Sequence, residues 1–180
     1  MRAFRLAATW TAAAAVAVLG LSLASRARAG DEHSATPKPP VQKPVKTPLF
    51  DGVMGSYTTT SKGMMGEGKG KVSMHLAIGG TAVIEEYEST SGMGPYAGHG
   101  VYRVGDDGKS VSIWWFDSMS PKPMTFTGTL TDTAYDATGD MPDGSGKMRI
   151  TLEKKGDAYE FRGLGADGKE WMAETWTRAK

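Results

Sequence analysis

The chain of 180 residues contains no cysteine. A disulfide framework, a thiol nucleophile, a cysteine-ligated zinc or iron–sulfur centre and a lipidated cysteine are therefore excluded. Charge of one sign is lacking too: 21 Lys and Arg stand against 20 Asp and Glu, a formal net charge of +1. A nucleic-acid binder normally carries a basic excess on one face, so this balance argues against such a partner. Histidine is scarce. His33, His75 and His99 make no His-x-x-x-His pair and no facial triad, which leaves a metal cofactor unsupported. Acyl transfer has neither a Gly-x-Ser-x-Gly elbow nor a Ser-x-x-Lys motif. The glycine-rich stretch 63–70 lacks the strand-to-helix setting of a phosphate loop, and its lysine is not followed by Ser or Thr; it reads as a hairpin tip. Methionines pair only as Met64-Met65 and beside His75 at Met74. Thioethers can hold copper(I), but no repeated Met-x-x-Met array is present, and methionine also fills gaps in cores.

One long apolar run exists. Leu6–Ser25 follows Arg2 and Arg5 and precedes Ala27-Arg28-Ala29, the layout of a secretory signal peptide with cleavage expected before Gly30. An uncleaved anchor is the alternative, since the run is about 20 residues long. Cleavage removes four of the 21 basic residues and no acid, leaving 17 against 20, a net of −3. The mature protein is then expected in the periplasm or outside the cell, with no membrane span. Next, residues 30–48 read as a linker: five of the nine prolines and three lysines crowd between Ala35 and Pro48. Proline removes donors and fixes φ, so this stretch is expected in polyproline II or disorder, as a spacer or a proline-rich docking segment.

The folded unit is expected over 49–180, all β. Helical periodicity is absent there, and strand candidates recur every 8–14 residues or so, the spacing of a sandwich or barrel. The clearest are Lys69–Ala77, Thr81–Thr90, Tyr96–Val104, Ser110–Phe116, Met124–Leu130, Lys147–Glu153, Ala158–Arg162 and Glu170–Arg178, with weaker ones at Gly55–Thr60 and Ala134–Gly139. Asp107-Gly108, Asp143-Gly144, Gly156-Asp157 and Asp167-Gly168 supply residues that tolerate positive φ, which makes neighbouring strands antiparallel. A meander of about ten strands removes its exposed edges only by closing into an up-and-down barrel.

Alternation then sorts the side chains. Val83, Glu85 and Tyr87 share one face; Ile113, Trp115 and Asp117 share another; Met172, Glu174 and Trp176 a third, opposite Trp171. If these faces point inward, Glu85, Asp117 and Glu174 form an acidic group in an apolar interior. Buried carboxylates need partners. His99, on the face of Ala97, Val101 and Arg103, is one candidate, with Arg103 and Arg149 as others; the plainer reading is a set of acids at strand ends or in structural ion pairs.

Four motifs carry a family resemblance. Residues 78–88, Ile-Gly-Gly-Thr-Ala-Val-Ile-Glu-Glu-Tyr-Glu, are followed in order by Tyr96-Ala97-Gly98-His99-Gly100 and by Trp115-Phe116-Asp117-Ser118-Met119. The fourth, in two pieces, closes the match: Asp167-Gly168-Lys169-Glu170-Trp171 and Glu174-Thr175-Trp176-Thr177-Arg178. Together they resemble the signatures of the DUF1579 family of bacterial proteins over residues 50–178, with Gly55-Ser56-Tyr57 standing where that family has Gly-x-Trp. The family resembles lipocalin-like (calycin-like) barrels, which implies a cup around a cavity; its biochemical role is undefined, so the resemblance speaks to fold and hardly to function.

Three readings follow. The first is an exported, non-catalytic barrel that binds a small, partly apolar molecule, with Tyr87, Trp115, Met172 and Trp176 as walls and Glu85, His99, Asp117 and Glu174 orienting the ligand's polar end. The second is an enzyme on the same barrel, with Glu85 or Glu174 as general base and His99 as its partner. The third is a structural or partner-binding module with a collapsed interior.

Overall fold

The structure, a computed structural model, describes residues 41–64 and 66–180. The expected signal peptide and the linker up to residue 40 lie outside the described residues. Ten strands follow one another: β1 (Gly55–Gly63), β2 (Gly68–Ala77), β3 (Ala82–Ser91), β4 (Gly94–Val104), β5 (Ser110–Asp117), β6 (Met124–Leu130), β7 (Ala134–Asp140), β8 (Lys147–Lys155), β9 (Ala158–Leu164) and β10 (Glu170–Arg178). Each pairs antiparallel with the next, and β1 also pairs with β10, Tyr57 opposite Arg178 and Gly63 opposite Met172, so the sheet closes as an up-and-down barrel. The all-β class, the antiparallel meander and both weaker strand assignments stand as the sequence predicts.

The tight connections owe their shape to the Asp and Gly residues placed there. Gly108, Gly144, Gly156 and Gly168 hold φ between 62° and 75°, a left-handed backbone conformation that residues with a Cβ adopt only with strain. At Asp107 the carboxylate accepts hydrogen bonds from the amides of Lys109 and Ser110, both at 2.9 Å, so the turn satisfies donors that the ladder leaves open. Along the strands most apolar residues point inward, with Leu76, Trp114 and Phe116 as exposed exceptions, while Thr58, Lys71, Glu86, Glu88 and Arg149 point out. That order is the reverse of a barrel facing lipid. No helix among the described residues is long and apolar enough to cross a membrane.

One end of the barrel is plugged. A short helix, α1 (Pro48–Val53), buries Leu49, Phe50 and Val53 and packs the Phe50 ring edge-on against Tyr102 at 5.7 Å. Burial of three such side chains contributes roughly 1.5–3 kcal/mol each. Thr47 caps the helix, accepting from the Phe50 amide at 3.3 Å, and Pro48 occupies the first turn, where its missing N–H costs nothing. At the other end of α1, Arg178 donates to the carbonyls of Gly52 (2.9 Å) and Met54 (3.0 Å), meeting carbonyls the short helix leaves unpaired.

This plug corrects the linker boundary. Residues 45–48 are part of the folded unit and not the disordered end of a spacer: Val45 and Thr47 are buried, and the Val45 amide donates to the Gly80 carbonyl at 2.7 Å. The physical reason is that the prolines alternate with residues the barrel end can bury. Thr47-Pro48 followed by Asp51 is itself a helix-start signal.

Candidate functional site

The inward residues leave a space. Above the plug, the barrel holds a cavity of about 700 Å³. It opens at the far end between the connections 118–123 and 141–146 and the end of β1. Its depth is lined by Glu85, Tyr87, Tyr102, Ile113, Phe126, Ile150, Phe161, Glu174 and Trp176, and its upper wall by Tyr96, Trp115, Trp171 and five methionines, Met119, Met124, Met141, Met148 and Met172. Thioethers and rings of this kind give an apolar wall that adapts to shape.

Two carboxylates sit in this apolar depth. Glu85 on β3 is 4% exposed and takes a short hydrogen bond from the Tyr102 hydroxyl on β4. Burial pushes its carboxyl up to about 8; the Tyr102 bond opposes the rise and the neighbouring Glu174 charge adds to it. Glu174 on β10, also 4% exposed, accepts from the Tyr87 hydroxyl at 2.7 Å and from the Trp176 indole N–H at 2.8 Å. Its carboxyl is raised by burial against the pull of those donors and of the Thr59 hydroxyl. The partners of these acids are thus hydroxyls and an indole, groups that share a proton without supplying a charge.

Of the residues named from the sequence, Glu85, Tyr87, Trp115, Asp117, Met172, Glu174 and Trp176 all line the cavity. Asp117 lies at the rim, where its carboxylate accepts from the amides of Met119 (2.8 Å) and Ser120 (2.7 Å) and shapes the β5–β6 connection. His99 does not join them. It lies on the outer face, its Nδ1 2.8 Å from Glu86 and its side chain 42% exposed, beside the Phe116 ring. Arg103 and Arg149 also leave the interior, Arg103 bonding to Thr81 and Arg149 to Asp136 at 2.7 Å. The expected acid–base pair of a cavity glutamate with His99 is therefore not assembled.

The reason lies in β4. Its inward side includes Tyr96, Gly98, Gly100, Tyr102 and Val104, and two of these five have no side chain. A Cβ at Gly98 would stand 2.1 Å from Cζ2 of Trp115, so glycine is what lets that indole lie flat on the strand, where its N–H donates to the Tyr96 hydroxyl at 2.9 Å. Trp171 is a cavity residue that alternation hides. A bulge between Glu170 and Met172 turns both Trp171 and Met172 inward, and the Trp171 ring covers Gly163, whose Cβ position would lie 2.3 Å from it. The alternating small residue on β9 facing Trp171 is the one signal that could have found it. No group of three or more His, Cys, Asp or Glu among the described residues is placed to hold a metal ion.

Fold and site together define a closed antiparallel β-barrel, plugged at one end, around an aromatic and methionine-walled cavity with two buried carboxylates. No family model matches the chain, and no curated protein matches it. Among solved structures it is similar to a redesigned β-barrel, mFAP1, bound to DFHBI, at 15% identity over 73% of this chain and 100% of that one, with a TM-score of 0.45. It is also similar to EF1p2_mFAP2b bound to DFHBI, at 12% identity over 72% and 95% of the two chains, with a TM-score of 0.39. The barrel assignment rests on the strand pairing itself.

Proposed function

We propose that the protein is an exported, non-catalytic barrel that binds a small, partly apolar molecule in its cup. The cavity carries this reading. A barrel selected for stability alone fills its interior, because a void forfeits dispersion contacts on every wall. Here about 700 Å³ stays open, within the range of small-molecule sites, and it has their composition: broad apolar walls with a few convergent polar groups. Export is supported by the pattern of residues 1–29, and the motif resemblance to the DUF1579 family supports a lipocalin-like cup.

The test is native mass spectrometry on protein purified from its cells without denaturation, joined to tryptophan fluorescence. Trp115, Trp171 and Trp176 line the cavity, so occupancy should move their emission. The expected result is a retained mass that denaturation releases, and rebinding that changes the emission. A bare protein mass, with no change in emission or melting across a panel of apolar small molecules, overturns the reading. A mature chain beginning at Gly30 in the exported fraction is the expected mark of secretion; a full-length chain kept in the cell overturns that part.

A further inference from the structure

We propose that the molecule this cup takes is an organic cation, a protonated amine on a flat apolar or aromatic body, with its ammonium seated against Glu85 and Glu174. The inference rests on the reading of the cavity as a binding site and adds the charge and class of the ligand.

The first support is the sign of the depth. The ionisable acids there are Glu85 and Glu174, and the polar groups beside them are the hydroxyls of Tyr87, Tyr102 and Thr59 and the indole N–H of Trp176. Of the basic residues among those described, only Lys62 and Lys122 touch the cavity, both exposed at its rim. Arg103, Arg149 and Arg178 are engaged elsewhere, with Thr81, Asp136 and the carbonyls behind α1.

The second support is a shortage of donors. A carboxylate offers about four lone-pair sites. Glu174 receives hydrogen bonds from Tyr87 and Trp176, with the buried Thr59 hydroxyl as a further donor beside it, and Glu85 receives one, on Oε2 from Tyr102. The other oxygen of Glu85 meets no donor among the described residues, although the side chain is nine-tenths and more buried and stands in the cavity wall. An ammonium brings three donors and the missing charge together. An anionic ligand would find no cation in the depth among the described residues. A neutral one brings no charge to oppose the burial that raises both carboxyls.

The walls supply the remainder of the specificity. Tyr87, Trp115 and Trp176 present rings around the acids, which favours a cation near their faces and a flat body against them. The methionines of the upper wall accept bodies of varied shape.

The test uses the whole purified protein, freed of any molecule it carries from the cell, and three fluorescent probes that differ in one group: anthracenylmethylamine, anthracenylmethanol and anthracene carboxylate. Fluorescence anisotropy at neutral pH should show the amine binding at least about tenfold more tightly than the alcohol, the size of one charged hydrogen-bonded contact, with the carboxylate weakest. Glu85→Gln with Glu174→Gln should remove the amine's advantage over the alcohol. If the double variant does not fold, Glu85→Gln alone, which retains an acceptor for Tyr102, should reduce the amine's advantage by at least about fivefold. Equal binding of amine and alcohol, or tightest binding of the carboxylate, overturns the cation while leaving the cup reading intact. Failure of all three probes to bind overturns both.

Discussion

Replacing Glu85 by glutamine should stabilise the barrel at alkaline pH and leave it nearly unchanged in mild acid. In the folded protein burial lifts the Glu85 carboxyl from 4.5 to about 8, so between those values the native state holds a proton that the unfolded chain releases. Stability then falls as pH rises, because the native state binds more protons than the unfolded one; the slope is about 1.4 kcal/mol per pH unit for one group. The contribution is intact below about pH 4.5 and lost by about pH 8, a total of roughly 5 kcal/mol. Glutamine keeps the shape and an acceptor for Tyr102 but does not titrate. Urea unfolding followed by tryptophan emission, on ligand-free protein at intervals from about pH 5 to pH 8.5, measures the difference. The variant should lie within about 1 kcal/mol of the parent at the acid end and exceed it by several kcal/mol at the alkaline end. A residual slope of the same sign should remain in the variant, since Glu174 is also raised. Parallel profiles for parent and variant, or a parent whose stability rises between pH 5 and pH 8, would refute the burial argument.

Gly98→Ala places a methyl 2.1 Å from the Trp115 ring; the indole must leave the strand, costing roughly 1–3 kcal/mol in melting experiments and shifting Trp115 emission. Phe50→Ala empties the plug beneath Tyr102 and should cost about 3–5 kcal/mol by urea unfolding, with little change in far-ultraviolet circular dichroism. His99→Ala removes surface contacts with Glu86 and the Phe116 ring; stability should move by less than about 1 kcal/mol, and the binding of any cavity ligand should not move in titration.

Much of the fold is written locally. Strand count and order follow from period-two alternation and from Asp-Gly turns such as Asp107-Gly108, and these signals need no knowledge of distant residues. Closure follows as well, because a ten-strand meander otherwise leaves two open edges. The same alternation assigns Glu85, Asp117 and Glu174 to faces shared with aromatic or aliphatic residues, and all three line the cavity. It fails on β4, where Gly98 and Gly100 face inward without side chains and His99 stands out as the conspicuous polar residue. It fails again at Trp171, because a bulge adds a residue to one strand and the pattern on either side no longer shares a phase.

The sequence by itself determined the class, the number of strands, the absence of thiol chemistry and the faces on which the acids lie. Only the tertiary structure decided what those acids meet. Tyr87 and Glu174 are 87 residues apart in the chain yet 2.7 Å apart in the barrel, and Glu85 is answered by Tyr102 across a strand pair where arginine or histidine was the expectation. Which side chain closes on a buried charge depends on register and on which strands closure brings face to face. Neither is a local property of the chain. The plug at α1 belongs to the same category: Leu49 and Phe50 follow a proline run that reads as a spacer, and they become core only because the barrel has an end to fill.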